Sequence, residues 1–108
     1  MAYNETLAMR IRESLKRFPE TFTEKRMFGG LSFLYRGKMT VGIVKDELAV
    51  RVIGDKMEET LKSAYTRPMD FTKKPMKEFI YVAPEGFATE AQLHHFISLG
   101  LEHAKSKL

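Results

Sequence analysis

Apolar residues recur every three or four positions near both ends of this chain and every second position through its middle. Leu7, Ile11, Leu15 and Phe18 follow one another at four, four and three residues, which predicts a helix over residues 5–18 with one apolar stripe. Asn4 stands where its side chain accepts from the first free amides. Pro19 ends the helix, because its ring lacks an N–H and the residue before it is driven out of the helical region. From Thr23 the period changes to two, over the runs TEKRMF, LSFLYR, MTVGIV and ELAVRVI. Between them lie Gly29-Gly30, Arg36-Gly37-Lys38 and Lys45-Asp46, gaps of turn size made of turn residues, so the runs predict an antiparallel meander.

Alternation assigns Leu31, Phe33 and Tyr35, then Met39, Val41 and Ile43, then Leu48, Val50 and Val52 to the core face. The other face reads Ser32, Leu34, Arg36, Thr40, Gly42, Val44, Ala49, Arg51 and Ile53. A fully solvated antiparallel face alternates more firmly to polar residues, so Leu34, Val44 and Ile53 predict a second layer there, another copy of the chain in a homodimer.

Beyond the meander a second helix is expected from Asp55, whose carboxylate caps while Glu58 reaches back, with Met57, Leu61, Ala64 and Tyr65 as its stripe. TRPMDFTKKPM carries Pro68 and Pro75 and reads as a loop with one short extended piece, since proline is excluded from a central strand. KEFIYVA is a strand, stopped at Pro84-Glu85-Gly86. The last helix opens on Thr89 with Gln92 at the third position, and carries Leu93, Phe96, Ile97, Gly100, Leu101 and Ala104 on one side. A glycine inside a helix costs about 1 kcal/mol against alanine, so Gly100 predicts close contact with the sheet. The expected fold is α+β, a two-layer sandwich in the order α-β-β-β-β-α-β-α, with an antiparallel sheet of about five strands and helices on one face.

Composition narrows the functional classes. At 108 residues, 44% hydrophobic and 30% charged, the chain is expected to form one domain over residues 1–108 with a single core. No apolar run reaches the roughly 20 residues of a membrane span, and MAYNETLAMRIRESLKRF has no secretory h-region, so a cytoplasmic protein without membrane contact is expected. The absence of cysteine removes disulfides, thiolate nucleophiles and cysteine-based metal sites.

A net charge of +4 favours anionic partners. Two neighbourhoods carry the excess. In residues 67–77, Arg67, Lys73, Lys74 and Lys77 stand against Asp70; in residues 10–26, Arg10, Arg12, Lys16, Arg17, Lys25 and Arg26 stand against Glu13, Glu20 and Glu24. They form one patch if the fold brings them together, and otherwise are ordinary solvated faces.

Candidate chemistry is sparse. Gly29-Gly30 followed by Gly37-Lys38-Met39-Thr40 fails as a phosphate loop, because Met39 follows the lysine and a strand, not a helix, follows the loop. What remains at KRMFGG is a looser anion nest of Gly29 and Gly30 helped by Lys25 and Arg26, against a plain turn. His94 and His95 diverge by about 100° around one helix, and His103 lies two turns on, so the three read as surface histidines and no metal site is expected. Ser14, Ser32, Ser63, Ser98 and Ser106 are scattered and none stands in a GxSxG elbow. No catalytic residue, cofactor or enzymatic activity is expected. Phe71, Lys73, Lys74, Lys77, Phe79 and Tyr81, with Phe28, Phe33, Tyr35 and Arg36, interleave charge with rings as weak nucleic-acid binders do.

The run KRMFGGLSFLYRGKMTVGIVKDELAVRV, then GDKMEETL, then RPMDFTKKPMKEFIYVAPEGF, resembles the TfoX N-terminal domain over nearly the whole chain. MFGG at 27–30, RGKM at 36–39 and FTKKPMKEFIYV at 71–82 are its most specific pieces. The resemblance implies a bacterial, cytoplasmic domain with a helix-flanked antiparallel sheet, from regulators that act positively on competence gene expression together with the cyclic-AMP receptor protein. Full-length members also carry a C-terminal helical domain, and the family brings no established catalytic residues. The resulting expectation is a non-enzymatic regulatory domain that holds a protein partner, with the transcription machinery as a candidate. Its contact residues are Lys25, Arg26, Gly29, Gly30, Arg67, Lys73, Lys74 and Lys77. Weak, salt-dependent nucleic-acid binding is the alternative, and a small-molecule site or enzyme the third reading.

Overall fold

The computed structural model describes residues 3–27, 29–71 and 74–108, and within these the side chains of residues 27, 69–71 and 74–77 are outside the description. Helix α1 (Glu5–Leu15) begins as its sequence predicts, with Asn4 Oδ1 accepting from the Leu7 amide at 3.0 Å. It stops three residues earlier than expected. Lys16, Arg17 and Phe18 tighten into a turn in which each amide bonds the carbonyl three residues back, ahead of Pro19.

Six strands follow: β1 (Phe22–Met27), β2 (Gly30–Tyr35), β3 (Lys38–Val44), β4 (Glu47–Arg51), β5 (Thr66–Phe71) and β6 (Lys74–Val82). They form one antiparallel sheet in the order β1-β2-β3-β4-β6-β5. The fold class is the expected α+β, with six strands where about five were predicted. The extra strand is β5, from the stretch expected to be a loop with one short extended piece; its second proline, Pro75, falls at the start of β6, beyond the part paired with β4. Pro68 bars a central strand, but β5 is an edge strand paired only with β6, where a missing donor is tolerated. The ladder slips in register between Pro68 and Asp70.

The two-residue turns hold the meander in register. Tyr35 pairs with Lys38 across Arg36 and Gly37, whose φ angles of 52° and 83° match a type I′ turn. The alternation assigned most inward residues correctly: Leu31, Phe33, Val41, Ile43, Leu48, Val50 and Val52 are buried against the helices. Tyr35 is only half-buried and outside that cluster, and Met39 lies on the opposite face. Phe33 pairs with Val41 while Leu34 pairs with Met39, so Thr40 is an extra residue on β3, and a bulge of one residue reverses the facing of whatever precedes it. Met39 therefore joins Ala49 and Phe79 in a second apolar cluster, flanked by Leu34, Val44 and Tyr81.

Helix α2 (Gly54–Thr60) is shorter than the pattern suggests and begins one residue before Asp55. Asp55 is not its cap; the Gly54 amide is satisfied by Glu78 Oε2 of β6 at 2.9 Å. Ala64 and Tyr65 fall beyond the helix and are exposed. After a short 3-10 turn (Pro84–Phe87), α3 (Glu90–Ser106) opens on the predicted capping box, with Gln92 N donating to Thr89 Oγ1 and Thr89 N to Gln92 Oε1.

Helix α3 lies across β3 and β4, with α1 packed beside it. Leu93, Phe96 and Ile97 of α3 meet Leu7 and Ile11 of α1 over the sheet. The closest approach is at Gly100, where a Cβ would stand 2.3 Å from the Thr40 carbonyl oxygen and 2.6 Å from its carbon. Gly100→Ala is therefore expected to destabilise the fold by about 1–3 kcal/mol through overpacking, despite alanine's better helix propensity. Urea denaturation measures it, and a stabilised variant would show that the helix has room to spare.

Candidate functional site

The sheet order decides where the basic residues go. Lys25 and Arg26 lie on β1 and Arg67 on β5, the two opposite edges of a six-stranded sheet. With strands about 4.8 Å apart, some 24 Å separates the edges. Among the described side chains, Lys25 and Arg26 therefore stand apart from Arg67. Lys73 lies outside the described residues, as do the side chains of Lys74 and Lys77.

The surroundings of these residues also differ. Arg67 is bound to both carboxylate oxygens of Glu47 and stacks over Tyr81, 4.6 Å from the ring centroid. That pairing holds the Glu47 carboxyl below its usual range and offsets the arginine's charge locally. Lys25 and Arg26 are exposed. Next to them Glu24, whose neighbour across the sheet is Phe33, turns toward the helices and takes two bonds of 2.8 Å from Arg12 of α1.

The glycine pair in KRMFGG divides its labour. Gly29 has φ of +74° with open space where a Cβ would go, whereas a Cβ on Gly30 would stand 1.7 Å from the Ile43 carbonyl oxygen. The first glycine supplies the turn and the second lets β2 close on β3. Both roles are structural ones that the chain's own backbone demands.

One polar cluster of the described residues was not read from the sequence. His103 was expected at the surface with His94 and His95, yet it is only 2% exposed. His95 is exposed, and half-buried His94 stacks on Phe18 at 4.6 Å. The signal for His103 was its spacing: it falls seven residues after Phe96 and three after Gly100, on the stripe that faces the sheet. Its Nε2 lies 3.0 Å from Glu78 Oε1, and its Nδ1 lies 3.4 Å from Arg51 Nε. A neutral ring protonated at Nε2 donates to Glu78 and accepts from Arg51. The Arg51 guanidinium, 4.2 Å from the Phe79 centroid, also approaches Nε2 through Nη2 at 3.0 Å. Lys107 adds a longer ion pair to Glu78 at 3.6 Å.

Glu78 thus joins the start of α2 to the end of α3, from a backbone with φ of 61°, a conformation rare for a residue with a side chain. Its carboxyl is held low first by the bond to His103, then by the Gly54 amide and Lys107. The His103 imidazole is pushed down chiefly by burial, with Arg51 and Lys107 acting in the same direction and Glu78 opposing.

On the outer side of the helices, a cleft of about 640 Å³ opens between α2 and α3, lined among others by Lys56, Glu59, Tyr65, His95, Phe96 and Leu99. A shallower recess of about 490 Å³ continues from it along α3 toward Phe18 and Lys105. The ion pair of Lys56 with both oxygens of Glu102, at 2.8 and 3.0 Å, spans α2 and α3. Among the described residues, no three His, Asp or Glu side chains gather as metal ligands would, and no helix is long and apolar enough to cross a membrane.

A family model described as the TfoX N-terminal domain matches residues 13–104. No curated protein and no solved structure matches the chain.

Gly29→Ala is expected to cost about 1 kcal/mol for its left-handed backbone, whereas Gly30→Ala costs more, because its clash is with the β3 backbone itself; thermal melts of the two variants rank them. Below the ordinary imidazole value of about 6.5, the unfolded chain takes up a proton that buried His103 refuses, so stability falls with pH there. The depressed Glu78 carboxyl adds a second loss below the usual carboxylate range, since its contribution is present above that range and disappears as it protonates. His103→Gln is expected to flatten the decline between about pH 7 and 5, as read by denaturation midpoints across that range.

Proposed function

The chain belongs to the TfoX N-terminal domain family, and on that premise we propose that it acts as a regulatory protein-interaction domain that pairs with a second copy through the sheet face away from the helices. The observation that carries this reading is the second apolar cluster. Met39, Ala49 and Phe79 are buried on that face, while Leu34, Val44 and Tyr81 around them are half-buried. A partner that covers those three removes further apolar area from water, and rings and aliphatic side chains with a polar rim are what interface cores use. Arg67, stacked on the Tyr81 ring of the same face, supplies part of such a rim. In this reading the domain works in the cytoplasm without catalysing a reaction, and its regulatory role concerns competence gene expression, with the transcription machinery among its partners.

The test is sedimentation of the full chain. A dimer is expected, and Val44→Glu is expected to shift it to monomer by placing a charge in the covered face. A strict monomer at high protein concentration overturns the pairing.

A second reading, salt-dependent nucleic-acid contact, is favoured by the exposed position of Lys25 and Arg26 on β1. Gel-shift titration at low and moderate salt checks it: binding that weakens with salt and with Lys25→Glu supports it, and no binding at low salt ends it.

A further inference from the structure

The cleft between α2 and α3 has a composition that the sheet-face reading leaves unused. Its volume of about 640 Å³ lies within the range of small-ligand sites, roughly 300–1,000 Å³. Phe96 and Leu99 form an apolar floor at 7% and 8% exposure, and Tyr65 presents a ring that is 47% exposed.

Most polar groups around the cleft already have partners. Lys56 is held by Glu102, Gln92 by the Thr89 cap, Thr60 Oγ1 by the Lys56 carbonyl, and Ser63 Oγ by the Tyr65 amide. The Glu59 and His95 side chains line the same space with no hydrogen bond or ion pair to the described residues. Glu102 cancels the charge of Lys56, which leaves the Glu59 carboxylate as the uncompensated acidic charge of the lining. An apolar floor, an exposed aromatic ring and an unpaired carboxylate together complement a cation with an apolar body: the ring and carboxylate attract the charge, and the floor takes the hydrocarbon.

We propose that the α2–α3 cleft binds a small organic cation, an amine carrying an aromatic or aliphatic body, with the body on Phe96 and Leu99 and the ammonium at Glu59 and the Tyr65 ring. The site lies on the helix side of the molecule, opposite the face assigned to the second copy, so the two readings stand or fall separately. Its selectivity is for charge sign first, because the apolar floor accepts neutral and anionic bodies equally and only Glu59 and Tyr65 discriminate.

Phenethylammonium, phenethyl alcohol and hydrocinnamate share one body and differ in the head group, so they are the probes. Each is titrated up to about 10 mM into the full chain while backbone amide NMR signals are followed, a range that detects millimolar affinity. The ammonium is expected to give saturable shifts confined to residues 56–65, 86 and 91–99, with the other two binding about three- to tenfold more weakly. Glu59→Gln, at an exposed position, is expected to remove that preference while leaving the remaining spectrum unchanged. Ala91→Trp, which fills the mouth of the cleft, is expected to abolish the shifts. The proposal is overturned if no saturable shifts occur, if they map elsewhere, if the anion binds as well as the cation, or if Glu59→Gln keeps the preference.

Discussion

The contact between Gly100 and Thr40 sets the geometry on which the rest of the molecule depends. A helix usually rides on a sheet at the distance its side chains impose, but here the backbone of α3 comes down onto β3 where no Cβ intervenes. Thr40 is the extra residue at the bulge, completely buried, with its hydroxyl donating to the Phe33 carbonyl at 2.8 Å. The bulge lets the strand bend beneath the helix and at the same time turns Met39 to the far side. One local irregularity therefore fixes the depth of the helical layer and creates the apolar cluster on the other face.

Once α3 is seated, charged groups from every neighbouring segment fasten it. Arg10 of α1 reaches the Phe87 carbonyl and Glu90 at its beginning. Lys105 meets Glu20 from the loop after α1, and His103 meets Glu78 and Arg51 from the sheet. These pairs differ in kind. Exposed ones such as Lys16 with Glu13 add little, whereas His103 itself is buried, so losing Glu78 or Arg51 leaves a buried ring nitrogen unsatisfied. Glu78 also caps α2, a helix with no buried residue of its own. The position of α2, and with it the width of the cleft beside α3, thus rests on a carboxylate from the sheet.

The charge distribution bears on function more than the net charge does. Among the described side chains, Lys25 and Arg26 stand apart from Arg67, because the sheet places β1 and β5 at opposite edges. Arg67 is paired with Glu47, while Lys25 and Arg26 face solvent. Charged residues along an exposed edge also keep that edge from pairing with other sheets, a structural use for Lys25 and Arg26 that needs no ligand.

What the amino-acid sequence determined by itself is everything that depends on neighbours a few residues apart. Asn4 and Thr89 cap their helices, Arg36-Gly37 turns a hairpin, and the period of two marks the meander, because these interactions close within one turn or one strand pair. Gly100 was legible as a contact point since a glycine in mid-helix is otherwise unfavourable. Tertiary structure alone decided the remainder. Pro68 is admitted because β5 is an edge, Met39 reverses because Thr40 bulges against β2, α2 takes its cap from a residue 24 positions away, and His103 is buried because α3 docks where it does. Each of these depends on which strand lies beside which, and that order follows from packing the whole core at once, information that no local run of residues contains.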